Sequence, residues 1–259
     1  MNKLLLRIKS RFSSPAKGRL PLLDEVRGLA IIAMVAYHLF YSMAFLFDMP
    51  VGLTVFNAAQ AYEPLIVGVF ILVSGCSSRL SRSNLKRGLW LIPCAAVVSL
   101  VTLFFTPELV IVFGILHFLA LAIIIFHFIL PLVRKIPPLA GFLCCVFLFA
   151  ALYGLPEGYI GVPGFSVRLP EILYRRDFLF WLGFTSPTFG SEDYFPLLPW
   201  FFLFLSGAFI GTPLAEGRAP EFMRRSYARP LGFLGRHSLV IYLAHQPVIL
   251  AVLWVVSRV

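Results

Sequence analysis

Long apolar runs separated by short basic stretches dominate the chain. From Gly28 to Phe47 no side chain carries a formal charge. Segments of about twenty apolar residues read as membrane-spanning helices. The pattern predicts seven, at 22–47, 61–80, 88–106, 112–133, 137–154, 195–216 and 231–257. An apolar stretch near 177–185 is too short to span and reads as re-entrant or interfacial. The expected fold is an all-α integral membrane helix bundle. Residues 1–20 form a basic cytoplasmic tail, and 21–259 form one transmembrane domain.

Composition strengthens this reading. The 259 residues are 59% apolar and only 13% charged, which excludes an ordinary soluble domain. The charges that remain are unevenly placed. Lys3, Arg7, Lys9, Arg11, Lys17 and Arg19 precede the first span. Arg79, Arg82, Lys86 and Arg87 follow the second, and Arg134 and Lys135 follow the fourth. Arg218, Arg224, Arg225 and Arg229 follow the sixth. Alternate connections thus hold sixteen of the 22 Lys and Arg. The positive-inside rule puts the N-terminus in the cytoplasm and the C-terminus outside. The net charge of +10 then reflects these connections and needs no nucleic-acid partner. Leu4-Leu5-Leu6 is too short for the apolar core of a cleavable signal peptide.

Cys76, Cys94, Cys144 and Cys145 all fall in predicted spans, without metal-like spacing, and are expected to be free packing thiols. No spacing of His, Cys or Asp suggests a metal site, and no phosphate loop or dinucleotide fingerprint is present. The one long connection, 155–194, is a candidate lid or acceptor-binding rim on the outer side.

Ionisable groups inside spans carry the functional signal, because they are expensive there. His38 lies eleven positions after Arg27. On a helix they share a face, about 20° apart, with His38 about 16 Å further along. Arg27 suits a phosphate-rich ligand at the inner mouth. Asp24, one turn earlier, can pair with it or anchor the helix. His38 suits general-base work, or can simply bond a neighbouring hydroxyl or carbonyl. Ser74 and Gly75 suit either close helix packing or a slot for a thin pantetheine-like chain. His117 is a further site candidate, whereas His127 points about 80° away from it and reads as packing or interfacial. Asp193 can cap the sixth span or meet an acceptor arriving from outside. On the seventh span, Arg236 and Ser238 lie near the cytoplasmic end, and Ser238 and His245 are seven residues apart, nearly on one face. A buried polar packing network is the alternative reading there.

Five blocks in order carry a resemblance. They are Leu23–Ile31 (LDEVRGLAI) with Met34 and Tyr37-His38, Phe70–Gly75 (FILVSG), Gly114–Ala122 (GILHFLALA), Asp193–Trp200 (DYFPLLPW) and Leu234–Pro247 (LGRHSLVIYLAHQP). Over roughly residues 20–257 the chain resembles the heparan-α-glucosaminide N-acetyltransferase catalytic-domain family, in particular its short bacterial members. The Arg, ten residues, His spacing also looks like that of integral-membrane O-acyltransferases that modify bacterial surface glycans. The resemblance implies a transmembrane acyltransferase-like fold that takes acetyl from cytoplasmic acetyl-CoA to a sugar on the other side. It implies His38 as base or acyl carrier, with His117, Asp193 and His245 as further catalytic candidates. Arg27, Asp24, Ser74, Gly75, Arg236 and Ser238 are the donor-binding candidates. The chain departs from the family where many bacterial relatives have Asp four residues after the His: here that residue is Ser42.

The expectation is therefore a membrane acyltransferase using acetyl-CoA or a related acyl-CoA, with no metal. Its partners are acetyl-CoA, a carbohydrate acceptor and the bilayer, with a homodimer left open. A transporter lined by the same polar groups is one rival, although no inverted repeat is visible. A non-catalytic membrane subunit is the other.

Overall fold

A computed structural model describes residues 19–162 and 164–258. The basic tail lies almost wholly outside the described residues. Among these, seven helical segments are long and apolar enough to cross a membrane. The protein is an all-α polytopic membrane protein whose only strands, among the described residues, form one small hairpin.

The helices are α1 (Pro21–Phe45), α2 (Pro50–Ala59), α3 (Glu63–Leu80), α4 (Asn84–Phe105), α5 (Ile115–Val133) and α6 (Pro138–Leu152). A hairpin of β1 (Tyr159–Val162) and β2 (Phe165–Arg168) follows. Then come α7 (Leu197–Ala215), α8 (Glu221–Arg224), α9 (Arg229–Arg236) and α10 (Ser238–Val256). The chain divides into two compact units. One holds the described residues up to Val73 together with those from Ala219 onward; the other is Ser74–Arg218. Helix α3 passes from one to the other.

In the first unit, α1 is the spine. Asp48 takes a left-handed φ of 50°, and Met49 N–H donates to Met43 O at 2.8 Å, so the chain turns back sharply after α1. Pro50 then starts α2, where its missing N–H costs nothing. Phe56 of α2 packs its ring against Tyr37, Tyr41 and Phe45, with centroids 5.3, 5.7 and 5.1 Å apart. The second span begins earlier than the pattern predicts. Pro50–Leu80 is one apolar helical segment interrupted by a 3₁₀ turn at Gln60–Tyr62.

Two glycines bring α9 onto α1. A side chain at Gly28 would strike the Leu231 carbonyl, and one at Gly235 would strike the Asp24 carbonyl. Without side chains the backbones meet directly, and dispersion replaces the hydrophobic effect that lipid cannot supply. Glu25 completes the crossing. Only 4% exposed, its carboxylate accepts from Ser226 Oγ at 2.6 Å and from Tyr227 N–H at 3.0 Å.

The seventh span is not the continuous 231–257 helix that the pattern predicts. The chain breaks at His237, which has φ −105° and ψ 15°, and the spanning helix is Ser238–Val256. His237 Nδ1 donates to Phe233 O at 2.8 Å, which holds the break. The reason is composition: Arg229–Arg236 carries a charge at each end and two glycines, and packs across α1.

In the second unit, α6 packs on α7 and α4 on α5. Phe118, Phe126, Phe204 and Ile123 are almost wholly buried at its centre. The connection after α6 is ordered by phenol-to-carbonyl bonds: Tyr174 Oη to Leu155 O at 2.6 Å and Tyr194 Oη to Phe180 O at 2.5 Å. Burial, then the nearby Asp177 carboxylate, pushes the Tyr194 phenol up, so it stays a donor. The apolar stretch near 177–185 contains a six-residue 3₁₀ helix, Asp177–Leu182, far too short to span. The four cysteines are free; Cys76 and Cys145 are buried, and Cys144 is exposed.

Candidate active site

Asp24 is 7% exposed and organises the start of α1. Its Oδ2 accepts from Arg19 Nε at 2.7 Å, and its Oδ1 accepts from Arg27 Nη1 at 3.4 Å. The expected Asp24–Arg27 pair is present, with Arg19 added. Two guanidinium groups around one carboxylate leave a net positive cluster. The Arg27 side chain is only 16% exposed, so it acts in reduced dielectric, where a charge-assisted bond is stronger. Arg236, exposed at the end of α9, lies with its guanidinium carbon 5.9 Å from the Phe233 ring centroid. It follows Gly235, which touches the Asp24 backbone. Ser238 opens α10.

Further along α1, His38 meets His245 of α10, ring to ring, with centroids 4.9 Å apart. The Tyr37 ring stands edge-on to His38 at 5.8 Å, and Tyr37 Oη donates to Glu63 Oε2 at 3.3 Å. His245 Nδ1 lies 2.5 Å from the Tyr242 carbonyl oxygen. A carbonyl only accepts, so Nδ1 carries the hydrogen. The neutral ring then presents its lone pair at Nε2. One imidazole of the pair is thereby held in a single tautomer and orientation, with a basic nitrogen available for a proton. This pairing joins residues 207 positions apart that the sequence reading named without linking.

Ser42 is fully buried and accepts from Gln246 Nε2 at 3.0 Å. Gln246, next to His245, was not among the sequence candidates. The signal was its place: the one strongly polar amide in an otherwise apolar stretch of a spanning helix.

His117 and Asp193 lie in the second unit, together at the start of α5. Asp193 reaches back to an earlier helix. Its Oδ2 accepts from Ile115 N–H at 3.1 Å and so caps α5, whose own cap residue Gly114 has no side chain to offer. Ser99 Oγ donates its hydrogen to Ile111 O at 2.5 Å and lies 3.3 Å from His117 Nε2. With that hydroxyl hydrogen committed, His117 Nε2 is the donor in the second contact. Phe113 stacks on the His117 ring at 5.9 Å. His127 is exposed and touches only the Phe128 ring among the ring contacts of the described residues, in keeping with an interfacial residue.

Gly75 belongs to helix packing. A side chain at Gly75 would strike the Phe204 carbonyl of α7, and the Ser74 carbonyl accepts from Ser78 Oγ at 2.9 Å. The four catalytic candidates therefore form two pairs, His38 with His245 and His117 with Asp193, one in each unit.

No curated protein and no solved structure matches this chain. A family model described as heparan-alpha-glucosaminide N-acetyltransferase, catalytic, matches residues 19–247, most of the chain. By that match over most of its length, the chain belongs to the heparan-alpha-glucosaminide N-acetyltransferase catalytic family.

Proposed function

We propose that this protein is a membrane acyltransferase of the bacterial inner membrane. It takes an acetyl or related acyl group from cytoplasmic acetyl-CoA and delivers it to a sugar hydroxyl or amine outside. The observation that carries the reading is the His38–His245 contact, with His245 locked so that Nε2 is basic. The family's named N-acetyltransferase activity supports it.

The donor's phosphates engage Arg27 and Arg19, which Asp24 orients, with Arg236 alongside. Eleven residues of helix put His38 about 16 Å from Arg27, a span that suits an extended pantetheine arm. Two routes use the same pair. In the direct route the acceptor's hydroxyl or amine gives its proton to an imidazole nitrogen as its oxygen or nitrogen bonds the thioester carbonyl. The carbon–sulfur bond breaks, and the thiolate leaves and takes up the proton. In the covalent route an imidazole nitrogen displaces the thiolate first, and the acceptor then attacks the acyl-imidazole while the second imidazole takes its proton.

The test is purified protein in detergent with acetyl-CoA and either methyl α-glucosaminide or methyl α-glucoside. Thiol release and acetylated sugar are read together. Binding of acetyl-CoA with transfer to either sugar is expected. A mass shift on His38 or His245 after acetyl-CoA alone selects the covalent route. Absence of acetyl-CoA binding removes the proposal.

A further inference from the structure

Gln246 Oε1 is buried and, among the described residues, has no hydrogen-bond partner. The other end of the same carboxamide is anchored, because Nε2 donates to fully buried Ser42 at 3.0 Å. A membrane interior offers no water to satisfy an exposed lone pair, so an orphaned amide oxygen is costly there. The orphan belongs to the position and not to the way the amide is turned. The Ser42 hydroxyl can meet either end, and rotating the group only exchanges which end is left over.

The location says what would satisfy it. Gln246 adjoins His245 in sequence, and Ser42 lies one turn beyond His38, about 6 Å further from Arg27 along α1. This is the side of the histidine pair away from the proposed donor phosphates. Resting on the acyltransferase reading, we infer that Gln246, held by Ser42, is a binding residue for the acyl acceptor. Its free oxygen accepts an N–H or O–H from the acceptor group next to the attacking atom. A sugar with neighbouring hydroxyl or amine groups fits this chemistry: one group attacks the acyl carbon while its neighbour donates to Gln246. The free carboxamide oxygen is then available for binding, since it makes no hydrogen bond in the ligand-free fold among the described residues.

The test is Gln246→Met, which keeps the volume and removes both polar ends. The KM for methyl α-glucosaminide should rise about ten-fold, the loss of one hydrogen bond. The Kd for acetyl-CoA should stay within about two-fold of wild type. The ligand-free melting temperature in detergent should match that of Ser42→Ala, because both variants lose the same Ser42–Gln246 bond and nothing else. Ser42→Ala should also raise the acceptor KM, by freeing the carboxamide. An unchanged acceptor KM in Gln246→Met overturns the inference. So does a ligand-free melting temperature well below that of Ser42→Ala, or failure to fold, since either makes Gln246 structural beyond that one bond. Failure of wild-type protein to bind acetyl-CoA instead overturns the acyltransferase reading. It is separable, because the melting measurement reads Gln246 without any ligand.

Discussion

The imidazoles of His38 and His245 lie with their centroids 4.9 Å apart, on two helices distant in sequence. Only one of them has its tautomer set by a backbone carbonyl, at Tyr242. Replacing His38 with Ala should reduce turnover about 10²–10⁴-fold with acetyl-CoA binding retained, as expected for loss of a proton-transfer or nucleophilic group. His245→Ala should do the same. The double variant should cost little more than either single one, because the two act as a unit. Steady-state thiol release on all three proteins checks this, and additive losses would mean independent roles.

Arg27→Ala should weaken acetyl-CoA binding about 10–100-fold, the loss of a charge-assisted bond to phosphate. Arg27→Lys should recover part of it, because an ammonium carries the charge without the planar fork. Calorimetry with acetyl-CoA and with dephosphorylated pantetheine separates the cases: only the phosphorylated ligand should be sensitive. Equal losses for both ligands would point to a structural Arg27.

Asp193 is tied to the Ile115 N–H at the start of α5. Asp193→Ala should lower stability by about 1 kcal/mol through the lost helix cap. Asp193→Asn keeps an oxygen acceptor and should be nearly as stable as wild type. If Asp193 also takes part in transfer, the Asn protein will be stable and slow. Denaturation and turnover measured on the same preparation decide between cap and catalyst.

The α1–α9 crossing depends on Gly28 and Gly235, each facing the other helix's backbone. Gly235→Leu should destabilise the protein by ~3 kcal/mol, because backbone cannot yield to a side chain as another side chain would. The melting temperature in detergent should fall accordingly. A tolerated substitution would show that α9 can leave α1 freely.

Orientation is tested by single cysteines in a background with the four native cysteines replaced. Gly190→Cys, in the long connection after α6, should react with an impermeant maleimide added outside intact cells. Arg218→Cys, after α7, should react only when the membrane is opened. The opposite pattern would reverse the donor and acceptor sides assigned from the basic residues.

What the sequence determined by itself was local. Hydrocarbon demands about twenty apolar residues per crossing, so the seven spans are visible in the pattern, with ends displaced where helices break at Gln60–Tyr62 and at His237. Residues three apart on a helix share a face, so Asp24 and Arg27 were legible as a pair before any fold was known. What only the tertiary structure decided was partnership between distant segments. Asp193 caps a helix that starts 78 positions earlier, because a cap needs proximity to unsatisfied N–H groups and not adjacency in sequence. Gly75 faces the Phe204 carbonyl, which makes it a packing residue. His38 finds His245, and Ser42 finds Gln246, because α10 returns against α1 after the break at His237. A polar group in a spanning segment must find a partner somewhere in the bundle, and helical periodicity names the face it uses but not the helix that answers it.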